Sequence, residues 1–210
     1  MLRPGSLVAP LKALIFVVAL LPLARLVFVL LYLPESLGAN PAEFITRSAG
    51  DWTLRLLLIT LAVTPLRVLT GWAWLLRFRR MLGLFAFFYG VVHLSSYVAF
   101  DHVFAMAEIA RDILKRPFIA VGFTALALMI PLALTSTNAM VRRLGARRWI
   151  ALHRLVYVIG PLGVLHFWWM VKRDVTEPAL YGLILALLLG FRVVVKLRSA
   201  LASGPAQAAR

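Results

Sequence analysis

Six apolar runs of about bilayer length, separated by short charged segments, constrain this chain more than any motif in it. A helix needs about 20 largely apolar residues to cross a hydrocarbon core. Runs of that kind occupy Leu11–Leu33, Trp52–Leu69, Met81–Phe100, Phe118–Leu134, Trp149–Val171 and Ala179–Val195. Backbone groups in lipid must be satisfied within their own segment. The expected fold is therefore an all-α polytopic membrane bundle of about six transmembrane helices. The first run follows Arg3, is long for a signal segment and is interrupted by Pro22 and Arg25. It is read as a retained helix.

The charge pattern gives an orientation. The chain carries 23 Lys and Arg against 8 Asp and Glu, a net charge of +15. These charges cluster between apolar runs, which suits topology signals and anionic lipid rather than nucleic acid. One set of connections holds Arg77, Arg79 and Arg80, then Arg142, Arg143, Arg147 and Arg148, then Lys196 and Arg198. The other holds Arg47, then Arg111, Lys115 and Arg116, then Lys172 and Arg173. The richer set is expected in the cytoplasm, with both termini. Segments 34–50, 101–117 and 172–178 then face the far side, with most of the acidic residues.

Residues 1–198 read as one six-helix membrane domain and residues 199–210 as a short cytoplasmic tail, small-residue-rich and loose. No internal repeat is visible. There is no G-x-G-x-x-G or phosphate-loop pattern, so no nucleotide-binding module is expected. The chain has no cysteine, which excludes disulfides, thiolate-ligated clusters and thioether-attached haem.

Histidine is then the chief metal-capable side chain. His93, His153 and His166 lie inside apolar runs, where an imidazole marks a candidate functional site. From the cytoplasmic side, His93 is about 18 Å along its helix and His166 about 25 Å, whereas His153 is only about 6 Å deep. His93 and His166 thus share the outer half on different helices, the arrangement that a bis-histidine b-type haem requires. Gly90 and Gly163 each precede their histidine by three residues on the same helix face. They fit clearance for a flat macrocycle and close helix packing equally well. His102 reads as a solvated loop residue.

Several buried charges and prolines remain. Arg192 reads as snorkelling to headgroups, and Arg25 and Arg55 either snorkel or neutralise haem propionates. Thr64-Pro65 and Pro131 read as kinks. His153 and His166 are 13 residues apart, about 140° around an ideal helix, and Gly160-Pro161 lies between them as a candidate kink.

Several stretches, in order, resemble the MsrQ family: Arg79-Arg80-Met81-Leu82-Gly83-Leu84 before His93, Lys115-Arg116-Pro117-Phe118-Ile119, Pro131-Leu132-Ala133-Leu134-Thr135-Ser136, Leu152-His153-Arg154-Leu155-Val156-Tyr157 and His166-Phe167-Trp168-Trp169. The resemblance covers residues 10–195 and places the chain in the ferric-reductase-like transmembrane group. It implies an electron-transfer subunit in the bacterial inner membrane, using haem b, one or two per chain. It implies membrane quinol or a cytoplasmic flavin reductase as donor. The acceptor would be a periplasmic molybdenum-containing methionine sulfoxide reductase subunit, MsrP, that repairs oxidised proteins. The substrate-reducing site would lie on that partner. The implied haem histidines are His93, His153 and His166. FMN is implied by the resemblance alone. Many members of the wider group have a second histidine 13 or 14 residues before the first, but here that position is Arg79. Arg79 suits a propionate or flavin phosphate, and equally a positive-inside signal. Two other classes remain open: a proton-coupled transporter using histidine relays, and a ferric or cupric reductase.

Overall fold

The computed structural model describes residues 8–202, and these form helices and turns with no strand among them. The α-helices are α1 (Val8–Tyr32), α2 (Pro41–Thr70), α3 (Leu76–Ser96), α4 (Met106–Lys115), α5 (Pro117–Leu134), α6 (Asn138–Leu144), α7 (Ala146–His153), α8 (Val156–Met170) and α9 (Thr176–Ala202). Six segments are long and apolar enough to cross a membrane: Val8–Tyr32, Pro41–Thr70, Ala73–Asp101, Pro117–Leu134, Ala146–Met170 and Thr176–Leu201. The expected all-α six-span bundle is the fold observed, and the chain is a multi-pass membrane protein. Helix α9 continues through 199–202, the start of the segment expected as a loose tail; Arg3 and residues 203–210 lie outside the described residues.

Helix α2 is the core of the bundle. It is long because both ends are capped. Asn40 accepts a hydrogen bond from the Glu43 N–H at 3.2 Å, and Pro41 opens the first turn. At the other end Gly71 takes φ +74° and donates its N–H to the Arg67 carbonyl, a left-handed stop that suits glycine. Along its length Leu54, Leu56, Leu57, Leu58, Leu61 and Val63 are buried. With Tyr89 of α3 and Ile159 of α8, Leu61 is among the most deeply buried large side chains. The outward faces carry exposed Leu, Val and Phe, as a lipid-facing surface should.

Helix α1 is joined to the core through a displaced hydrogen bond. Pro22 sits inside it, and the next N–H, that of Leu23, donates to the Tyr89 hydroxyl at 3.1 Å. Tyr89 donates its own proton to the Ala19 carbonyl at 2.8 Å. The hydroxyl thus inserts between the N–H and the carbonyl that an unbroken helix would pair.

Two spans depart from the expected outlines. Helix α2 begins well before Trp52, so residues 41–50 are helix rather than connection. The fifth span is interrupted at Arg154 and Leu155, whose N–H groups donate to the third residue back, and not at Gly160-Pro161. Pro161 is accommodated inside α8. The outer connection 101–117 is also not loop throughout, since α4 occupies Met106–Lys115.

Candidate functional site

Helices α2, α3, α5 and α8 surround a cavity of about 550 Å³. Its inner part is lined by Leu54 and Leu57 of α2, Leu126 and Met129 of α5, and Ile159 of α8. Its outer end is polar, with Asn40, Glu43, Arg47, Asp101, His102, Asp112 and Arg116. His93 and His166 enter it from α3 and α8, their ring centroids 6.0 Å apart and their planes at 76°.

Each ring is held by one nitrogen. His93 Nδ1 lies 2.8 Å from the Thr46 carbonyl of α2, and His166 Nδ1 lies 2.7 Å from the Phe118 carbonyl of α5. A carbonyl oxygen can only accept, so both protons sit on Nδ1 and both Nε2 atoms carry the lone pair. Neither Nε2 has a hydrogen-bond partner among the described residues. An N–H committed to a carbonyl with the other nitrogen free is the usual arrangement of a metal-bound histidine. Two imidazoles on one iron, with bonds of about 2 Å each, need centroids on the order of 6 Å apart. The donor set, the spacing and the apolar walls all fit a bis-histidine haem, and the cavity lies in the ligand-pocket range of about 300–1,000 Å³.

Gly90 and Gly163 both line the cavity. A methyl on Gly90 would meet Leu126 Cδ1 at 2.9 Å, whereas one on Gly163 would come no closer than 3.5 Å to Leu54. Both readings made of these glycines therefore apply at Gly90, and cavity clearance is the stronger one at Gly163.

His153 does not join the pair. Its ring stacks on Trp149 at 3.8 Å, its Nδ1–H donates to the Trp149 carbonyl at 3.0 Å, and its Nε2 is buried without a partner. Trp149 is anchored in turn, donating Nε1–H to the Thr135 carbonyl. The charges that act on His153 are those of Arg79 and Arg80. Arg79 lies within the electrostatic reach of Tyr157 and Arg192. Arg192 does not snorkel outward as expected. It donates to the Tyr157 hydroxyl at 2.9 Å and to the Leu61 carbonyl at 2.6 Å, which draws it into the bundle. Arg55 is likewise engaged, donating to the Tyr181 hydroxyl at 2.8 Å with its guanidinium over Trp52.

His102 is not the solvated loop residue expected. Its side chain is 12% exposed, with Nε2 2.8 Å from the Tyr97 hydroxyl and 3.2 Å from Asp112 Oδ2. The five-residue π-turn Tyr97–Asp101 and α4 fold it back over the cavity mouth.

The chain matches the family of the ferric reductase like transmembrane component over residues 49–164, a span that includes His93 and His153 and ends two residues before His166. It is 58% identical to the protein-methionine-sulfoxide reductase heme-binding subunit MsrQ of Herminiimonas arsenicoxydans, over 87% of this chain and 84% of the relative. It is 56% identical to the subunit of the same name from Ralstonia nicotianae, over 92% and 88%. With that of Xanthomonas axonopodis pv. citri it shares 52% identity over 94% and 92%. The chain belongs to the MsrQ family. The likeness to MsrQ extends over as much as 94% of the chain.

Four residues of the site escape a reading of the sequence. Thr46 and Phe118 act through backbone carbonyls, which leave no mark on the sequence. Gly50 and Gly122 lie beneath the two rings. Their sign was a pair of glycines at nearly the same distance before the histidines, 43 and 44 residues.

Proposed function

We propose that this MsrQ-family chain is the haem b-carrying electron-transfer subunit of a protein-methionine-sulfoxide reductase. It would take electrons from membrane quinol and deliver them to a periplasmic molybdenum-containing partner that repairs oxidised proteins. The observation that carries this reading is the pair His93 and His166, facing across one cavity with both Nδ1 protons committed and both Nε2 atoms free. When bound, haem b supplies one-electron chemistry; the residues around it bind, orient and insulate it.

His93 and His166 would hold the haem iron through their Nε2 atoms, and two protein ligands would keep the iron closed to dioxygen. Leu54, Leu57, Met129 and Ile159 keep water from the inner wall, which favours a low local dielectric. Arg47 and Arg116 at the polar end suit the carboxylates of a propionate pair. His153 is assigned to a second, inner site on the strength of its buried free Nε2. It has no histidine opposite, and Arg79 beside it suits an anionic group, a propionate or the phosphate of FMN. The Lys/Arg asymmetry supports an inner-membrane orientation with both termini cytoplasmic. A cytoplasmic flavin reductase is the alternative donor. The segment 101–117, containing α4, is assigned to partner docking for its mixed charge and its place at the cavity mouth.

The test is the visible spectrum of the detergent-purified protein, oxidised and dithionite-reduced, with a pyridine haemochrome count. A sharp reduced b-type α-band, lost in His93→Ala and in His166→Ala, supports the reading. A protein that stays colourless after haem supplementation refutes it and favours a proton-coupled transporter.

A further inference from the structure

We propose that Gly50 and Gly122 are positioning residues, each forming with a helix carbonyl a platform that fixes the orientation of one cavity imidazole. As far as the rings are haem ligands, this rests on the reading above; the platforms themselves are a matter of protein geometry.

Two hairpins of the bundle repeat one arrangement. In α2 and α3, the Thr46 carbonyl holds His93 Nδ1, and the ring lies against Gly50, four residues after Thr46. In α5 and α8, the Phe118 carbonyl holds His166 Nδ1, and the ring lies against Gly122, four residues after Phe118. Spacings along the chain correspond within one residue: Gly50, Gly90 and His93 in the first hairpin, Gly122, Gly163 and His166 in the second. The repeat is one of geometry, which is why no repeat shows in the residue string.

The reason for glycine is steric. Side chains on an α-helix tilt toward its N-terminus, so residue i+4 covers the flank of the carbonyl of residue i. That carbonyl is occupied along the axis by the helix bond, but it has a second lone pair. Glycine at i+4 uncovers the flank and lets an imidazole lie there. A Cβ on Gly122 would come within 2.6 Å of His166 Nδ1, 2.7 Å of Cε1 and 2.9 Å of Cγ. One on Gly50 would come within 3.0 Å of His93 Nδ1 and 3.1 Å of Cε1. The Cγ contact at Gly122 involves the root of the ring, so the ring cannot yield by a small swing of its tip. Glycine is unfavourable inside a helix relative to alanine, so its presence at both equivalent places asks for such a reason.

The experiment compares Gly122→Ala, Gly50→Ala and Gly190→Ala, purified in detergent. The last is a control, with nothing within 4 Å of an added methyl. Haem affinity is read by titration, ring orientation by the low-spin electron paramagnetic resonance spectrum, and ligand basicity by the midpoint potential. Gly122→Ala is expected to weaken haem binding by about 10- to 100-fold, as loss of a partner behind a metal ligand does. The potential is expected to rise, because an imidazole parted from its carbonyl is a weaker donor. Gly50→Ala should move the same readouts less, and Gly190→Ala not at all. Wild-type affinity, spectrum and potential in Gly122→Ala would overturn the proposal.

A second measurement needs no haem. Thermal unfolding is recorded for wild type, Gly122→Ala, His166→Ala and the double variant. With the ring gone, the three atoms nearest a methyl at 122 are gone too, so alanine there should destabilise far less. If it lowers the unfolding temperature equally with and without the ring, the glycine serves helix packing and the platform is refuted. A colourless wild type would defeat the haem reading alone, and this cycle would still decide the platform.

Discussion

Two halves of the bundle, named outer and inner after the orientation proposed above, hold the same residue types and use them differently. In the outer half two histidines face each other across a cavity, each with one nitrogen committed to a helix carbonyl. In the inner half His153 stacks on Trp149, and Arg192 of the same region donates to the Tyr157 hydroxyl. His153 and His166 belong to one span, yet the break at Arg154 and Leu155 separates their surroundings. What stands opposite and behind a histidine, more than its depth in the bundle, decides which of its nitrogens is left free toward open space.

The most severe way to break this comparison is to remove one histidine from each half. His166→Ala is expected to abolish the outer haem and its reduced α-band, whereas His153→Ala should leave that band in place. Loss of all haem in both variants, by pyridine haemochrome count, would show that the halves do not act separately.

Next in size is a core substitution between them. Leu61 is fully buried and its carbonyl receives Arg192. Leu61→Ala is expected to cost about 2–5 kcal/mol, measured as a lowered denaturation midpoint in detergent, with the inner half loosening first. A smaller loss follows from Tyr157→Phe, which takes an acceptor from a guanidinium and is expected to cost about 1.5–3 kcal/mol. The reduced spectrum of the outer haem should be unchanged in that variant; a shifted band would mean that the inner cluster supports the outer site.

The smallest effect is expected at the rim. Asp174, outside the spans, is held below the usual carboxylate range by hydrogen bonds from the Thr176 side chain and N–H. Its folded pKa is depressed, so its contribution is present above the unfolded value and is lost as pH falls through the folded one. Protection of the Thr176 amide against exchange, relative to its intrinsic rate, should fall below about pH 4 and at neutral pH in Asp174→Ala, with neither half of the bundle affected.

The sequence showed the spans plainly because lipid permits few solutions for a 20-residue apolar run. It also put His93 and His166 in the same half of the bundle, since helical rise converts position to depth. It misread residues 41–50 as connection because Glu43 and Arg47, with Asp51 bordering them, make the stretch polar, and Thr46 and Gly50 went unnoticed there. Arg192 was misjudged for a different reason. Its partners, the Leu61 carbonyl and the Tyr157 hydroxyl, lie 131 and 35 residues away, and only the packed bundle brings them near. His102 was read as solvated because nothing local predicts that α4 folds over it.

The Tyr89 hydroxyl between Leu23 N–H and Ala19 C=O gives α1 an unusual freedom. If α3 withdraws, those two groups can pair with each other, and α1 exposes no new unmet polar group to lipid. The loss falls on the bundle, where Tyr89 would be left without partners at about 1–3 kcal/mol. Parting α1 from α3 would therefore cost α1 no backbone hydrogen bond, whereas parting α2 from α3 or α5 from α8 would take the carbonyl partner from His93 or His166.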